Sequence, residues 1–204
     1  ITGGSLFVGG LATHRLPKYR VLAQAFCATG VLVLYGVTFA AHAVYHFAAF
    51  GPVSTFILMS AITLAAFLSA VRLEALVVAV LGMLGGFLTP ELLATGHDNA
   101  FGLFGYIALL DIGLLAVSRH ANWRFLTPAA AIGTALTQIN WYARFFGSGS
   151  YDVGAKTLIP AAILLGFIML FLTAGWLSRK AREMDRSLAG AVICLVAVAM
   201  LFAF

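Results

Sequence analysis

The sequence predicts an all-α membrane protein, a polytopic bundle of transmembrane helices, and three observations support this fold class. Hydrophobic residues make up 62% of the chain and charged residues only 9%, and the mean hydropathy is +1.03. Apolar segments of about 20 residues, the length that crosses a bilayer as a helix, recur along the chain. Positive charge is concentrated in every second gap between these segments.

The composition also excludes several classes of protein. Soluble domains contain about 25% charged residues, so this chain is neither a soluble domain nor a disordered tail. The net charge of +5 is explained by loop residues that fix membrane topology, and no nucleic-acid partner is expected. The expected partners are the lipid bilayer and either other membrane subunits or further helices of the same chain.

The order of apolar segments gives the predicted elements. The first segment, Ile1–Thr13, is too short to span and is interpreted as the end of a truncated helix. Because both ends of the chain are apolar, we expect 1–204 to be a single transmembrane region, a fragment of a longer protein. The predicted spans are 21–41, 53–71, 75–95, 101–118, 125–142, 157–177 and 187–204.

The gaps between these spans predict the orientation of the chain. Four alternate gaps contain ten of the twelve Lys and Arg residues. Positively charged loops stay on the cytoplasmic side of a membrane, so we expect these gaps to be cytoplasmic. They are 14–20, 72–74, 119–124 and 178–186.

A glycine-rich stretch that ends in Pro and Glu is the most distinctive motif. Gly82 and Gly86 are four residues apart and favour close approach of another helix. Pro90 lacks a backbone N–H and disturbs the preceding turn. One interpretation is a tightly packed helix with a kinked exit; the other is a broken helix that lines a cavity, as in many transporters. The candidate functional residues here are Gly85, Gly86, Pro90 and Glu91.

Asp111 is the only acidic residue well inside a predicted span. An ionisable group there costs about 2.5–3.5 kcal/mol, so its side chain should face protein or water. It is either a proton-relay or substrate-binding carboxylate, or a protonated or hydrogen-bonded contact between helices. Arg144 is not the expected partner, because the two differ in depth by more than about 10 Å. Gln138 and Asn140 are expected to bridge helices through their amides.

Other polar residues give weaker signals. His42 and His46 would share a helix face if the helix extends that far, but they lie at a membrane exit without an obvious third ligand, so no metal site is predicted. Cys27 and Cys194 are interpreted as small buried residues. The sequence contains no nucleotide-binding glycine loop, catalytic triad or HExxH motif. No catalytic residue is predicted, and the cofactor stays unknown.

Leu81–Gly96 reads LGMLGGFLTPELLATG, and together with several other stretches it resembles a bacterial family of predicted membrane proteins, the domain of unknown function DUF2339. The resemblance covers most of residues 20–145, and its GGFLTP core is the most specific part. It implies a long polytopic protein of the bacterial inner membrane, without an established activity. The family pattern implies an uncharged polar residue such as Asn where this chain has Asp111. The other matching stretches include Leu34–Tyr45, Leu103–Leu115 and the segment from Gly133 to Tyr142.

Two function classes stay open at this point. The scarcity of buried charge and the many small residues favour a structural or accessory subunit of a membrane complex, which is not an enzyme. The Gly-Pro motif with Glu91, together with Asp111, favours a transporter or a protein that handles lipids or envelope precursors.

Overall fold

The computed structural model describes residues 2–14, 17–93, 99–123, 125–145 and 158–177. Within them the chain forms seven α-helices and no strand, which confirms the all-α prediction. A short 3-10 helix, Pro17–Tyr19, precedes the second α-helix. The predicted span 187–204 and the gap 178–186 lie outside the described residues. The helices are α1 (Thr2–Thr13), α2 (Arg20–Ala43), α3 (Pro52–Leu73), α4 (Leu76–Leu92), α5 (Ala100–Ala121), α6 (Leu126–Phe145) and α7 (Leu158–Leu177).

Three of these helices, α2, α3 and α5, are long and apolar enough to cross a membrane. At 1.5 Å per residue, the 24 residues of α2 reach about 36 Å, which exceeds a hydrocarbon core of about 30 Å. Helix α4 and the segment Leu158–Ala174 of α7 are apolar but shorter. That the chain crosses the membrane seven times stays a prediction.

The chain divides into two compact units. The first unit, Ile1–His97, contains α1 to α4, and the second unit, Asp98–Phe204, contains α5 to α7. The expectation of a single transmembrane region stays a prediction.

Tight turns set the pairing of neighbouring helices in each unit. Glu74 ends α3 and Asn122 ends α5, both with left-handed backbones at φ 50° and 57°. This conformation turns the chain sharply after a helix and satisfies its last carbonyl groups. The N–H of Trp123 donates to the carbonyl of Ser118 over 3.1 Å. As a result, α3–α4 and α5–α6 are antiparallel hairpins, and residues at equal distances from a turn face each other.

Glycine allows a close contact between α1 and α2 in the first unit. A methyl group placed on Gly30 would lie 2.7 Å from the backbone nitrogen of Phe7. A methyl group placed on Gly10 would lie 2.6 Å from Sγ of Cys27. The two backbones therefore touch, which is how small residues join membrane helices.

Candidate functional site

Polar and aromatic pairs mark the contact between α5 and α6 in the second unit. The paired residues recur every seven positions on each helix and lie at equal distances from the Asn122–Trp123 turn. A seven-residue spacing returns to nearly the same helix face, so the pairs form one continuous seam. The pairs are Ser118–Thr127 (hydroxyls 3.1 Å apart), Asp111–Thr134 (2.7 Å) and Phe104–Trp141 (ring centroids 5.3 Å).

Asp111 lies in the middle of this seam and is fully buried, as is Thr134. The Thr134 hydroxyl donates a hydrogen bond to Oδ2 of Asp111, whereas Oδ1 has no hydrogen-bond partner among the described residues. Arg144 lies ten residues beyond Thr134 on α6, which is about 15 Å along the helix. The carboxyl group is therefore held by a neutral hydroxyl from the facing helix.

Gln138 lies one turn after Thr134 on the buried face of α6. Both atoms of its side-chain amide are buried and lack hydrogen-bond partners among the described residues. Gln138 therefore forms no amide bridge to another helix among the described residues. Gln138 is one of the residues that line a partly open crevice with a volume of about 10 Å³, room for about one water molecule. The other lining residues are Phe104, Trp141, Tyr142, Pro160, Ile163 and Leu164.

The glycine–proline motif belongs to a continuous helix. Pro90 lies inside α4, which ends two residues later at Leu92. The buried Thr89 hydroxyl donates to the carbonyl of Gly85 over 2.7 Å, a bond within the same helix. Glu91 is partly exposed in the last turn. The proline thus lies at the exit of a packed helix, and the structure has no break inside α4.

The glycines of α4 provide room for neighbouring side chains. A methyl group on Gly82 would lie 3.0 Å from Cβ of Ala66 in α3, and Gly86 is buried. A methyl group on Gly85 would lie 2.7 Å from the hydroxyl oxygen of Tyr35 in α2. That hydroxyl shares a 2.6 Å hydrogen bond with Thr63 of α3. The absence of a side chain at Gly85 therefore leaves room on α4 for the Tyr35 ring, which hydrogen-bonds Thr63 of α3.

A family model covers the entire chain, residues 1–204, and describes the family as "Predicted membrane protein (DUF2339)". The chain belongs to the DUF2339 family. This confirms the resemblance inferred from the motifs of residues 20–145. No curated protein and no solved structure matches the chain. The family description identifies a membrane protein and gives no activity.

The candidate residues of this DUF2339 protein do not form one cluster inside either unit. Gly85, Gly86, Pro90 and Glu91 belong to the first unit, and Asp111 belongs to the second. Tyr35 and Thr134 are the contact residues that the sequence reasoning missed. For Thr134 a partial signal was present. Asp111 lies eight residues before the predicted gap 119–124 and Thr134 lies ten residues after it, so the two belong to similar depths of neighbouring spans.

The histidine pair does not share a helix face, because α2 ends at Ala43. Nδ1 of His42 lies 2.7 Å from the carbonyl oxygen of Phe50 in the following loop, and His46 has a left-handed backbone at φ 51°. Among the described residues, no group of three or more His, Cys, Asp or Glu side chains could hold a metal ion. His42 therefore acts in the structure as a loop-ordering residue.

Two of the gaps with positive charge meet in the first unit of the DUF2339 chain. Arg20 at the start of α2 forms an ion pair with Glu74 at the end of α3. The side-chain amide of Gln24 donates to the carbonyl of Leu73 over 3.0 Å. The gaps at 14–20 and 72–74 thus lie at the same end of this unit.

Proposed function

We propose that this chain is a structural helix-packing region of a multi-pass protein in the bacterial inner membrane, where it acts as an accessory subunit of a membrane complex. The contact between α1 and α2 carries this proposal. At Gly10 and Gly30 the two helices approach at backbone distance. Apolar surface gives membrane helices little reason to associate, so close packing of small residues is what joins them.

The distribution of charge supports the orientation in this proposal. The Arg20–Glu74 pair joins two of the four gaps that contain most Lys and Arg residues. The α5–α6 turn follows Arg119 in a third such gap. Positive loops are retained in the cytoplasm, so these ends face the cytoplasm in our proposal.

A transporter or a protein that handles lipids or envelope precursors is the second candidate, and Asp111 favours it. A carboxyl group buried in a membrane helix is expensive and commonly belongs to a substrate or proton pathway. Only one of its oxygens has a partner among the described residues. The transporter hypothesis also used a broken helix at Pro90, and this part has no support because α4 is continuous through Pro90.

One experiment separates the two candidates. Full-length protein with an affinity tag would be purified gently from its native membrane as wild type and as Asp111→Asn, and mass spectrometry would quantify bound proteins and small molecules. The accessory role predicts a membrane protein at constant stoichiometry in both samples, because Asn can still accept a hydrogen bond from Thr134. A retained lipid or glycan without a protein partner, lost in Asp111→Asn, would overturn it in favour of transport.

A further inference from the structure

Three exposed cations lie at one end of the first unit, and we call them the basic end. They are Lys18 in the short 3-10 helix, Arg20 at the start of α2 and Arg72 in the last turn of α3. The ion pair between Arg20 and Glu74 holds α2 beside the end of α3 at this level. Among the described residues of this unit, Lys and Arg occur only here.

The charges of the basic end are not balanced. Glu74 is the one acidic residue there in the described part of the chain, and it is paired with Arg20. Neither Lys18 nor Arg72 has an ion pair or a hydrogen bond with a described residue. The ammonium group of Lys18 lies 6.0 Å from the ring centroid of Tyr19, the distance of a cation–π contact. Three cations and one carboxylate give a net charge of +2, and two of the cations can take an anion as their partner.

Exposed apolar side chains follow the basic end along each of the helices α2, α3 and α4. Val21 in α2 is 80% exposed, Val77 in α4 is 61% exposed and Leu68 in α3 is 55% exposed. Leu68 lies one turn before Arg72 on the same helix. In a membrane protein such side chains face lipid tails, which are as apolar as they are. The change from cations to exposed apolar residues therefore marks the boundary between headgroups and hydrocarbon in one leaflet.

We propose that the basic end binds the headgroup of an anionic phospholipid. Lys18 and Arg72 attract the phosphate, and the exposed apolar side chains contact the acyl chains of the same lipid. Arg20 contributes as well, because a guanidinium has five N–H donors and the bond to Glu74 uses only one of its nitrogens. The proposal uses the membrane location that the family description gives, so it is independent of the accessory role and of the orientation proposed above.

Charge complementarity selects an anionic lipid as the occupant. A zwitterionic lipid such as phosphatidylcholine also has a phosphate, but its choline group cancels the charge. Each Lys or Arg close to the membrane surface strengthens the attraction to anionic lipid about fivefold. A free anion lacks the acyl chains that would hold it at the level of the basic end, beside the exposed apolar side chains.

Native mass spectrometry of the full-length protein tests this proposal. Phosphatidylglycerol and phosphatidylcholine with identical acyl chains would each be titrated into the detergent-solubilised protein, and the ratio of the two dissociation constants measures the preference for anionic lipid. Lys18→Gln and Arg72→Gln should each lower this preference about fivefold, because each removes one cation. Ala48→Asp is the control, since it changes the net charge equally in the exposed loop at the opposite end of α2. The control should keep the preference of the wild type.

Glu74→Gln gives a result that loss of structure cannot imitate. It removes the carboxylate of the basic end and releases Arg20, so the preference for phosphatidylglycerol should rise about fivefold. Equal affinity for the two lipids in the wild type would overturn the proposal, and so would a preference that neither Lys18→Gln nor Arg72→Gln lowers. Displacement of phosphatidylglycerol by equimolar inorganic phosphate would overturn the lipid as the occupant in favour of a free anion.

Discussion

Thr134 and Asp111 face each other from antiparallel helices, and the Thr134 hydroxyl donates a 2.7 Å hydrogen bond to Oδ2 of the buried carboxyl. Ser118 and Thr127 form an equivalent pair seven residues closer to the turn. The Ser118 hydroxyl also donates to the carbonyl of Trp123 over 3.0 Å, which ties the seam to the turn itself. A single register therefore positions the polar contacts between α5 and α6.

Replacing Thr134 by Val should destabilise the second unit, because it removes the hydroxyl that donates to a buried carboxyl group. Hydrogen bonds between membrane helices contribute about 0.6 kcal/mol on average and up to about 1.7 kcal/mol, and we expect a loss in the upper part of this range. Unfolding of the purified protein in mixed detergent micelles would measure it. Thr137→Val removes a hydroxyl that bonds within α6, so it should lower the free energy of unfolding by less. An equal loss in the two variants would contradict a stabilising role for the Asp111–Thr134 hydrogen bond.

Gly30→Ala should separate α1 from α2, because the added methyl group would meet the backbone of Phe7 at 2.7–2.9 Å. Overpacking of this kind costs about 1–3 kcal/mol in the free energy of unfolding. Gly36→Ala is the matched control in the same helix, since nothing lies within 4 Å of its added methyl group. The control should be neutral or stabilising by up to about 1 kcal/mol, because Ala favours helix more than Gly does. Equal effects of the two substitutions would contradict the close contact.

Gly85→Ala should depend on Tyr35, whose hydroxyl lies 2.7 Å from the position of the added methyl group. In the wild-type background we expect destabilisation, because the ring must move and its hydrogen bond with Thr63 is weakened. In a Tyr35→Ala background the same substitution should be nearly neutral. A double-mutant cycle measured by unfolding should give a coupling of about 0.5–3 kcal/mol. A coupling near zero would show that the ring does not occupy this space.

Glu74→Gly should give a more stable protein than Glu74→Ala. Both substitutions remove the exposed ion pair with Arg20, so the comparison isolates the backbone. Position 74 has φ 50°, a left-handed conformation that costs a residue with a side chain about 1–2 kcal/mol and glycine nothing. Thermal unfolding of the two variants would measure the difference. Equal stability would contradict the left-handed turn between α3 and α4.

The helices could be predicted from the sequence because hydrophobic length is a strong signal. Apolar runs bounded by charged, Gly or Pro residues predict helices such as α2 and α5 without knowledge of their neighbours. Gly82 and Gly86 also indicated close approach, and a neighbouring side chain does lie against Gly82. These features depend on local patterns, which the sequence displays directly.

The partners of the candidate residues depend on register and were harder to predict. Depth along the helices argues against Arg144 as the partner of Asp111, but only the register of the short α5–α6 turn makes Thr134 the facing residue. The contact of Tyr35 with Gly85 joins residues fifty positions apart, and no local pattern indicates it. His42 and His46 would share a helix face only if α2 extended past both residues, and this condition is not met because α2 ends at Ala43.

Alternation of the loops across the bilayer is the claim on which the multi-pass orientation in the proposed function depends. After replacement of Cys27 and Cys194 by Ala, single cysteines would be introduced as Ala48→Cys and His120→Cys, both at exposed positions. A membrane-impermeant maleimide would then be added to spheroplasts of a bacterial host. The positive-inside rule predicts labelling at position 48 in intact spheroplasts and at position 120 only after permeabilisation. Labelling of both positions from the same side would contradict the proposed topology.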